Sequence, residues 1–315
     1  MIESIKVTNT TSNETVDMGR DSSFLYLIDD NGLNWGEVKA DHNQYQGRGM
    51  VGKIITYTAI DTRNPSITGK LWSGITGNEE EYADLTQAEL DKVRLAKISQ
   101  LKEVLSRIIN PLDVIRLGVG EYFLEGQPNS SVSFSKEWRE NNEVYCGFTF
   151  SLTCANPMFR QQAKVNVNLS GVTPTFHFPL VIPKNRGTTM GIKVPYRLIV
   201  IYNTSDVQVG GVIKIKAKGT VTNITVTNVY TNEHITINKT LQAGEEIEID
   251  TDEKTIYGWI NGVKQQYYKY WDIDNTWLQF KVGGSVMGFS AENDTHKSAE
   301  VTISLNQSYY NIGGQ

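Results

Sequence analysis

Residues 145–154 read Tyr-Cys-Gly-Phe-Thr-Phe-Ser-Leu-Thr-Cys, and they indicate the fold class more clearly than any other segment. The large apolar side chains, such as Phe148 and Leu152, share one parity, while small and polar residues occupy the other. Alternation of this kind predicts a β-strand with one face in a core. Asn156-Pro157 ends the strand, because proline has no backbone N–H to donate to a sheet. A mainly β chain is therefore expected.

Further strand signals lie N-terminal to this segment. Residues 24–28 form a short apolar run, and residues 53–60 alternate, with Ile55 and Tyr57 on one parity and threonines on the other. Both segments predict further strands.

One segment has helical periodicity instead. From residue 86 to residue 109 the apolar side chains recur at three- and four-residue steps: Leu95, Ile98, Leu101, Leu105 and Ile108. Thr86 and Glu89 fit a capping box at the start, and Asn110-Pro111 stops the helix. A single apolar stripe predicts a helix packed along a sheet. A helix that binds a partner also shows one stripe and is the alternative.

The composition changes between residues 161 and 197, where half of the eight prolines occur. This segment is interpreted as a linker with one strand at 175–181. After it come short alternating strands, in which Ile213 and Ile215 alternate with lysines and Ile247 and Ile249 with glutamates. The lysine and glutamate residues are most simply interpreted as a solvated face, and cross-strand pairing between them is the alternative.

The spacing of these strands predicts a β-sandwich, and Asn261-Gly262 predicts a tight hairpin turn. The expected organisation is an N-terminal domain at 1–160 with one long helix, a linker at 161–197 and a sandwich at 198–315.

Composition excludes several classes of protein. The 315 residues include 39% hydrophobic residues, which is enough for cores and excludes a disordered chain. The net charge of −5 argues against nucleic-acid binding through a basic surface. No run approaches the ~20 apolar residues of a membrane helix, and the N-terminus lacks the order of a secretion signal. Synthesis in the cytosol and no membrane association are expected.

No motif for catalysis, a cofactor or a metal emerges. Gly47–Gly52 has the letters of a dinucleotide-binding loop but precedes a strand-like run, not the helix that such loops need. The four histidines have no metal-ligand spacing such as His-x-x-x-His. Cys146 and Cys154 lie too far apart along one strand for a disulfide, so both are expected as buried thiols.

Aromatic residues cluster at 267–277, and Tyr268, Trp271 and Trp277 are candidate contacts for a sugar or a partner. Exposed aromatic rings can stack on sugars. The more ordinary interpretation is that these rings fill the core and edge of the sandwich.

Several of these segments resemble the distal tail proteins of long-tailed phages and prophages of Gram-positive hosts, the baseplate hub or phage tail component family. The likeness lies in residues 47–60, in the strand ending Cys154–Phe159, in Ile201–Asp206 and in Leu241–Thr251, which reads Leu-Gln-Ala-Gly-Glu-Glu-Ile-Glu-Ile-Asp-Thr. The last of these is the most specific. The chain departs from the family pattern at Ser205, where the turn usually has glycine.

The resemblance implies a structural protein without a cofactor. Its N-terminal domain would form a homohexameric ring at the virion tail tip, and its galectin-like sandwich would point outward. The implied partners are the tail tube protein, a tail-associated fibre or lysin protein and a receptor-binding protein. DNA would pass through the lumen without specific binding. Two alternatives stay open: a carbohydrate-binding module for host wall sugar, and a wall glycosidase that uses aspartates such as Asp250 and Asp252.

Overall fold

The computed structural model describes residues 4–48, 50–76, 82, 84–137, 141–169, 171–174, 191–194 and 198–312. The chain forms two compact units, which we name the N-terminal domain (residues 1–162 and 310–315) and the C-terminal domain (residues 163–309).

The N-terminal domain contains most strands of one large sheet and the helix. Its elements are β1 (Ser4–Asn9), β2 (Thr15–Gly19), β3 (Tyr26–Asn34), β4 (Ala40–Tyr45), β5 (Ile54–Ile60), β6 (Ser66–Trp72), α1 (Gln87–Ile108), β7 (Ile115–Val119), β8 (Tyr122–Pro128), β9 (Ser133–Phe134), β10 (Tyr145–Thr153) and β11 (Phe159–Gln161). Within this domain the strand order is β11-β8-β7-β1-β2-β3-β6-β10-β9, and β8 also pairs with β10. The extra pairing brings the two ends together, so the sheet curls back on itself.

β10 confirms the alternation of its sequence. Cys146, Phe148, Phe150 and Leu152 point into the domain core with α1 and the neighbouring strands. Both cysteines are free thiols, and burial raises the pKa of Cys154 to about 11. The core therefore forms around the segment that indicated the fold class.

Helix α1 confirms the predicted limits to within one residue, and the backbone N–H of Thr86 donates to the Glu89 carboxylate at 2.9 Å. Its stripe packs into the sheet core, as expected. One member of the predicted stripe is wrong: Leu95 is 50% exposed, and Leu90 is buried in its stead. Each residue advances about 100° around a helix, so Leu95 falls outside the arc shared by Ile98, Leu101, Leu105 and Ile108.

The C-terminal domain is the predicted β-sandwich. Its strands are β12 (Val165–Asn168), β13 (Gly171–Pro174), β14 (Gly191–Val194), β15 (Ile199–Asn203), β16 (Val212–Ala217), β17 (Val221–Asn228), β18 (His234–Leu241), β19 (Glu246–Asp250), β20 (Thr255–Ile260), β21 (Val263–Gln266), β22 (Gly283–Ser290), β23 (Ala299–Leu305) and β24 (Ser308–Tyr309). One sheet has the order β12-β23-β16-β19-β20-β21, another has the order β15-β22-β17-β18, and β13 pairs with β14.

Inward-facing aliphatic residues of both sheets, such as Ile213, Ile249 and Val226, form one core. Asn261 and Gly262 both have positive φ, at 50° and 80°, and make the predicted tight turn between β20 and β21.

The segment interpreted as a linker contains regular structure. β12 pairs with β23, so this part of residues 161–197 is a strand of the C-terminal domain. This strand is hard to recognise from the sequence, because it consists of only four residues, alternating Val and Asn, next to a proline-rich segment. The strand expected at 175–181, and His177 within it, lie outside the described residues.

Candidate functional site

The predicted aromatic residues occupy two different settings. Trp271 and Trp277 stack with ring centroids 4.3 Å apart and pack, partly buried, against the core of the C-terminal domain. Tyr268 is exposed, and its hydroxyl donates to the Lys254 carbonyl at 3.0 Å. The structure therefore brings the two tryptophans together and leaves Tyr268 apart from that stack. Their contact with a sugar or partner stays a prediction.

The most unusual surface is a β-hairpin that belongs to neither core. We name residues 40–60 the hairpin arm. Among the residues that the structure describes, β4 and β5 pair only with each other, as a separate two-stranded sheet. Every residue of β4 and all but Ala59 of β5 are exposed. The strand predicted at 53–60 is confirmed as β5, but its alternation is not accompanied by a buried face.

The arm carries an apolar surface. Tyr45 is 60% exposed, Ile55 is 55% exposed and Tyr57 is 66% exposed, and Val51 in the turn is fully open. An isolated two-stranded hairpin is marginally stable in water, and exposed apolar area favours burial by about 25 cal/mol per Å². Exposed apolar side chains concentrated on one element are typical of an interaction site. The arm has the properties of a segment that is covered in an assembly.

Polar contacts hold the arm in one register. His42 Nδ1 lies 2.9 Å from Thr58 Oγ1, and Thr56 donates to the Asn43 carbonyl at 3.1 Å. At its base, the Asp61 N–H donates to the Lys39 carbonyl at 2.8 Å. The Gly47–Gly52 motif lies in its turn before strand β5, as the sequence indicated, and not before a helix.

A second surface lies along the edge of the four-stranded sheet. β15 is an edge strand whose outward side chains, Val200 and Tyr202, are exposed. Val200 lies opposite Val286 on β22, and the N–H of the exposed Val229 donates to the Val286 carbonyl. Edge strands with apolar side chains are ready to pair with another strand. Sequence reasoning missed this surface, although the alternation of Val200 and Tyr202 was visible.

The remaining chemistry is sparse. Within the described ranges, no group of three or more His, Cys, Asp or Glu residues is arranged to hold a metal ion. None of the helices in the same ranges is long and apolar enough to cross a membrane.

Residues 204–309 match the model of the siphovirus-type tail component, C-terminal domain. A search of curated proteins gives no significant match. The crystal structure of SPP1 Dit, described as a paradigm of the hub adsorption apparatus in phages that infect Gram-positive bacteria, has a TM-score of 0.59 at 10% identity over 96% of this chain and 98% of that one.

Two structures of the phage P2 baseplate, in its activated conformation with Ca or Sr, also match. Their TM-scores are 0.45 and 0.43, at 12% and 11% identity over 96% of this chain and 98% and 97% of those chains. The resemblance inferred from the sequence is therefore confirmed: residues 204–309 match the siphovirus-type tail component, C-terminal domain, and the chain has the fold of SPP1 Dit.

Proposed function

We propose that this chain is a structural component of a phage tail tip, where six copies form a ring-shaped hub between the tail tube and the baseplate. The family match of the C-terminal domain and the hub-protein fold support this assignment. The observation that carries it is the hairpin arm, because its exposed apolar side chains need a partner.

A second copy of this chain is the occupant that fits the arm best. In such a ring each copy would insert its arm into one neighbour and receive the arm of the other, which makes the contact head-to-tail and not self-complementary. Head-to-tail contacts produce a closed ring when the rotation between copies closes. The two-stranded arm also offers free backbone edges along both β4 and β5, which suit strand pairing with a neighbour.

The lumen of such a ring would admit DNA without binding it specifically. The chain has 35 acidic and 30 basic residues, so it lacks the excess of Lys and Arg that phosphate binding requires. The chain would be made in the cytoplasm of the host bacterium and incorporated into the virion there.

The C-terminal domain would dock baseplate components. The exposed edge of β15, with Val200 and Tyr202, suits an extended strand from a receptor-binding protein or a tail-associated fibre or lysin protein. Backbone pairing supplies affinity in this mode, and the alternate side chains supply specificity.

The test compares the purified chain with an arm variant, Ile55→Ser with Tyr57→Ser. Light scattering coupled to gel filtration should give a hexamer for the natural chain and a monomer for the variant. The matched control is Tyr230→Ser, an exposed aromatic residue of the C-terminal domain, which should remain hexameric. Circular dichroism should be unchanged in both. A hexamer that survives the arm variant would contradict the role given to the arm.

A further inference from the structure

The outer face of the six-stranded sheet carries two ordered rows of side chains. Cross-strand partners give one row of Thr302, Lys214, Glu248, Tyr257 and Gln266. The next row is Glu300, Lys216, Glu246, Trp259 and Lys264. Acid, base and aromatic ring therefore lie side by side in both rows.

Ion pairs fix the polar groups of these rows. Lys214 Nζ lies 2.8 Å from Glu248 Oε2, and Lys216 bonds directly to the Glu246 carboxylate. Both pairs are largely exposed, where an ion pair contributes only about 0–1 kcal/mol to stability. Folding alone therefore gives little reason for this arrangement.

The aromatic rings of the rows, Tyr257 and Trp259, are half-buried and are not among the side chains packed against the core. Tyr257 and Trp259 meet edge to face, with centroids 6.5 Å apart. Lys264 Nζ lies 3.8 Å from the centroid of the Tyr257 ring. Since an ammonium on a flexible stem can move away from a ring, this contact leaves the ring available to a ligand.

A cavity of about 360 Å³ opens between these groups. Its lining includes Lys214, Lys216, Glu246, Glu248 and Trp259. This volume is at the small end of the roughly 300–1,000 Å³ range of ligand pockets.

We propose that this face is a binding site for a neutral pyranose oligosaccharide. The apolar face of a sugar ring would stack on Trp259, its hydroxyls would donate to the Glu246 and Glu248 carboxylates, and Lys214 and Lys216 would donate to its oxygens. The positive charge of each lysine is balanced by the negative charge of its glutamate partner, and such a surface suits a neutral ligand. Protein interfaces fit less well, because their cores are depleted in Lys and Glu.

This site differs from the aromatic cluster that the sequence suggested. Trp271 and Trp277 cover each other's faces, whereas Trp259 borders an open cavity and the group over its ring is the flexible Lys264 ammonium, 5.5 Å from the centroid. The proposal does not depend on ring formation, since every residue of the site belongs to one chain.

Isothermal titration calorimetry of the full chain tests the proposal with hexasaccharides of glucose and of N-acetylglucosamine, and with polyglycerol phosphate as a charged comparator. We expect binding of at least one neutral hexasaccharide and weakening of about tenfold or more in Trp259→Ala, because an aromatic contact of about 1.4 kcal/mol is lost. Glu246→Gln should weaken binding as well, with the fold retained.

Tyr230→Ala is the matched control and should bind like the natural chain, since its ring lies outside both rows. Trp259→Phe keeps an aromatic ring and should keep part of the affinity. It therefore shows whether the affinity lost in Trp259→Ala reflects the missing ring or misfolding. No heat with either neutral hexasaccharide, binding to polyglycerol phosphate alone, or unchanged affinity in a folded Trp259→Ala would each overturn the proposal.

Discussion

The guanidinium of Arg63 lies 4.6 Å above the ring of Phe159, inside the N-terminal domain. Its Nη2 donates to the Tyr310 carbonyl at 2.6 Å, and Arg63 is only 1% exposed. Burial lowers the pKa of this guanidinium, and its Nε and Nη1 have no hydrogen-bond partner in the described part of the chain. Arg63 thus ties the backbone of Tyr310 to the strands of its own domain.

Arg63→Ala should destabilise the N-terminal domain by about 2–4 kcal/mol, because it leaves a cavity and removes the bond to Tyr310. Arg63→Met should cost less, since it keeps the stem and removes a poorly satisfied buried charge. Urea unfolding measures both values. Equal stability of the alanine variant and the natural chain would show that the anchor has no role.

The carboxylate of Glu125 joins two arginines and predicts a pH dependence. Burial alone would raise the pKa of Glu125, but Arg160 and Arg116 overcome this effect and hold the pKa below its usual range. Arg116 Nη2 lies 2.6 Å from Oε1, and Arg160 bonds to Oε2. A depressed pKa stabilises the fold above the unfolded pKa of about 4.3 and loses that effect as pH falls through the folded value.

Glu125→Gln should therefore lower stability by about 1–3 kcal/mol at pH 7, and the difference from the natural chain should shrink below about pH 4. Thermal unfolding between pH 3 and 7 checks this. A constant difference across the range would mean that the charge of Glu125 is not responsible.

Gly258 allows the close approach of a buried ring in the C-terminal domain. A Cβ at this position would lie 2.1 Å from Cε2 of Tyr267, which is itself buried in the core. Gly258→Ala should cost about 1–3 kcal/mol through overpacking. Gly118→Ala is the control, because its Cβ would meet neighbours at 3.6 Å and fit. Differential scanning calorimetry should show a lower Tm for the first variant only, and equal Tm values would refute the packing argument.

Local periodicity was enough to predict those elements whose buried face shows as a pattern within the element's own residues. β10 alternates because its core face is continuous, and α1 carries its stripe and capping residues within one segment. The sandwich followed from repeated alternation, and cross-strand pairing of its lysine and glutamate faces, the alternative interpretation, is realised by Lys214 and Glu248.

Which residues cover a strand was harder to predict, because that depends on the residues of other strands far away in the sequence. Ile55 and Tyr57 alternate like a half-buried strand, yet the middle of their partner β4, residues 41–44, reads Asp-His-Asn-Gln and is polar. That polar partner was the available signal for an exposed arm. Trp259 was missed for a related reason: its role depends on Glu246, which lies opposite only after β19 and β20 pair.

The central claim is that side-by-side copies of this chain close into a ring. Negative-stain electron microscopy of the purified full chain, with mass photometry of the same sample, tests it most directly. We predict annular particles with six-fold symmetry and a mass six times that of the 35.3 kDa chain. Single chains at every concentration, or open filaments without closure, would contradict the claim.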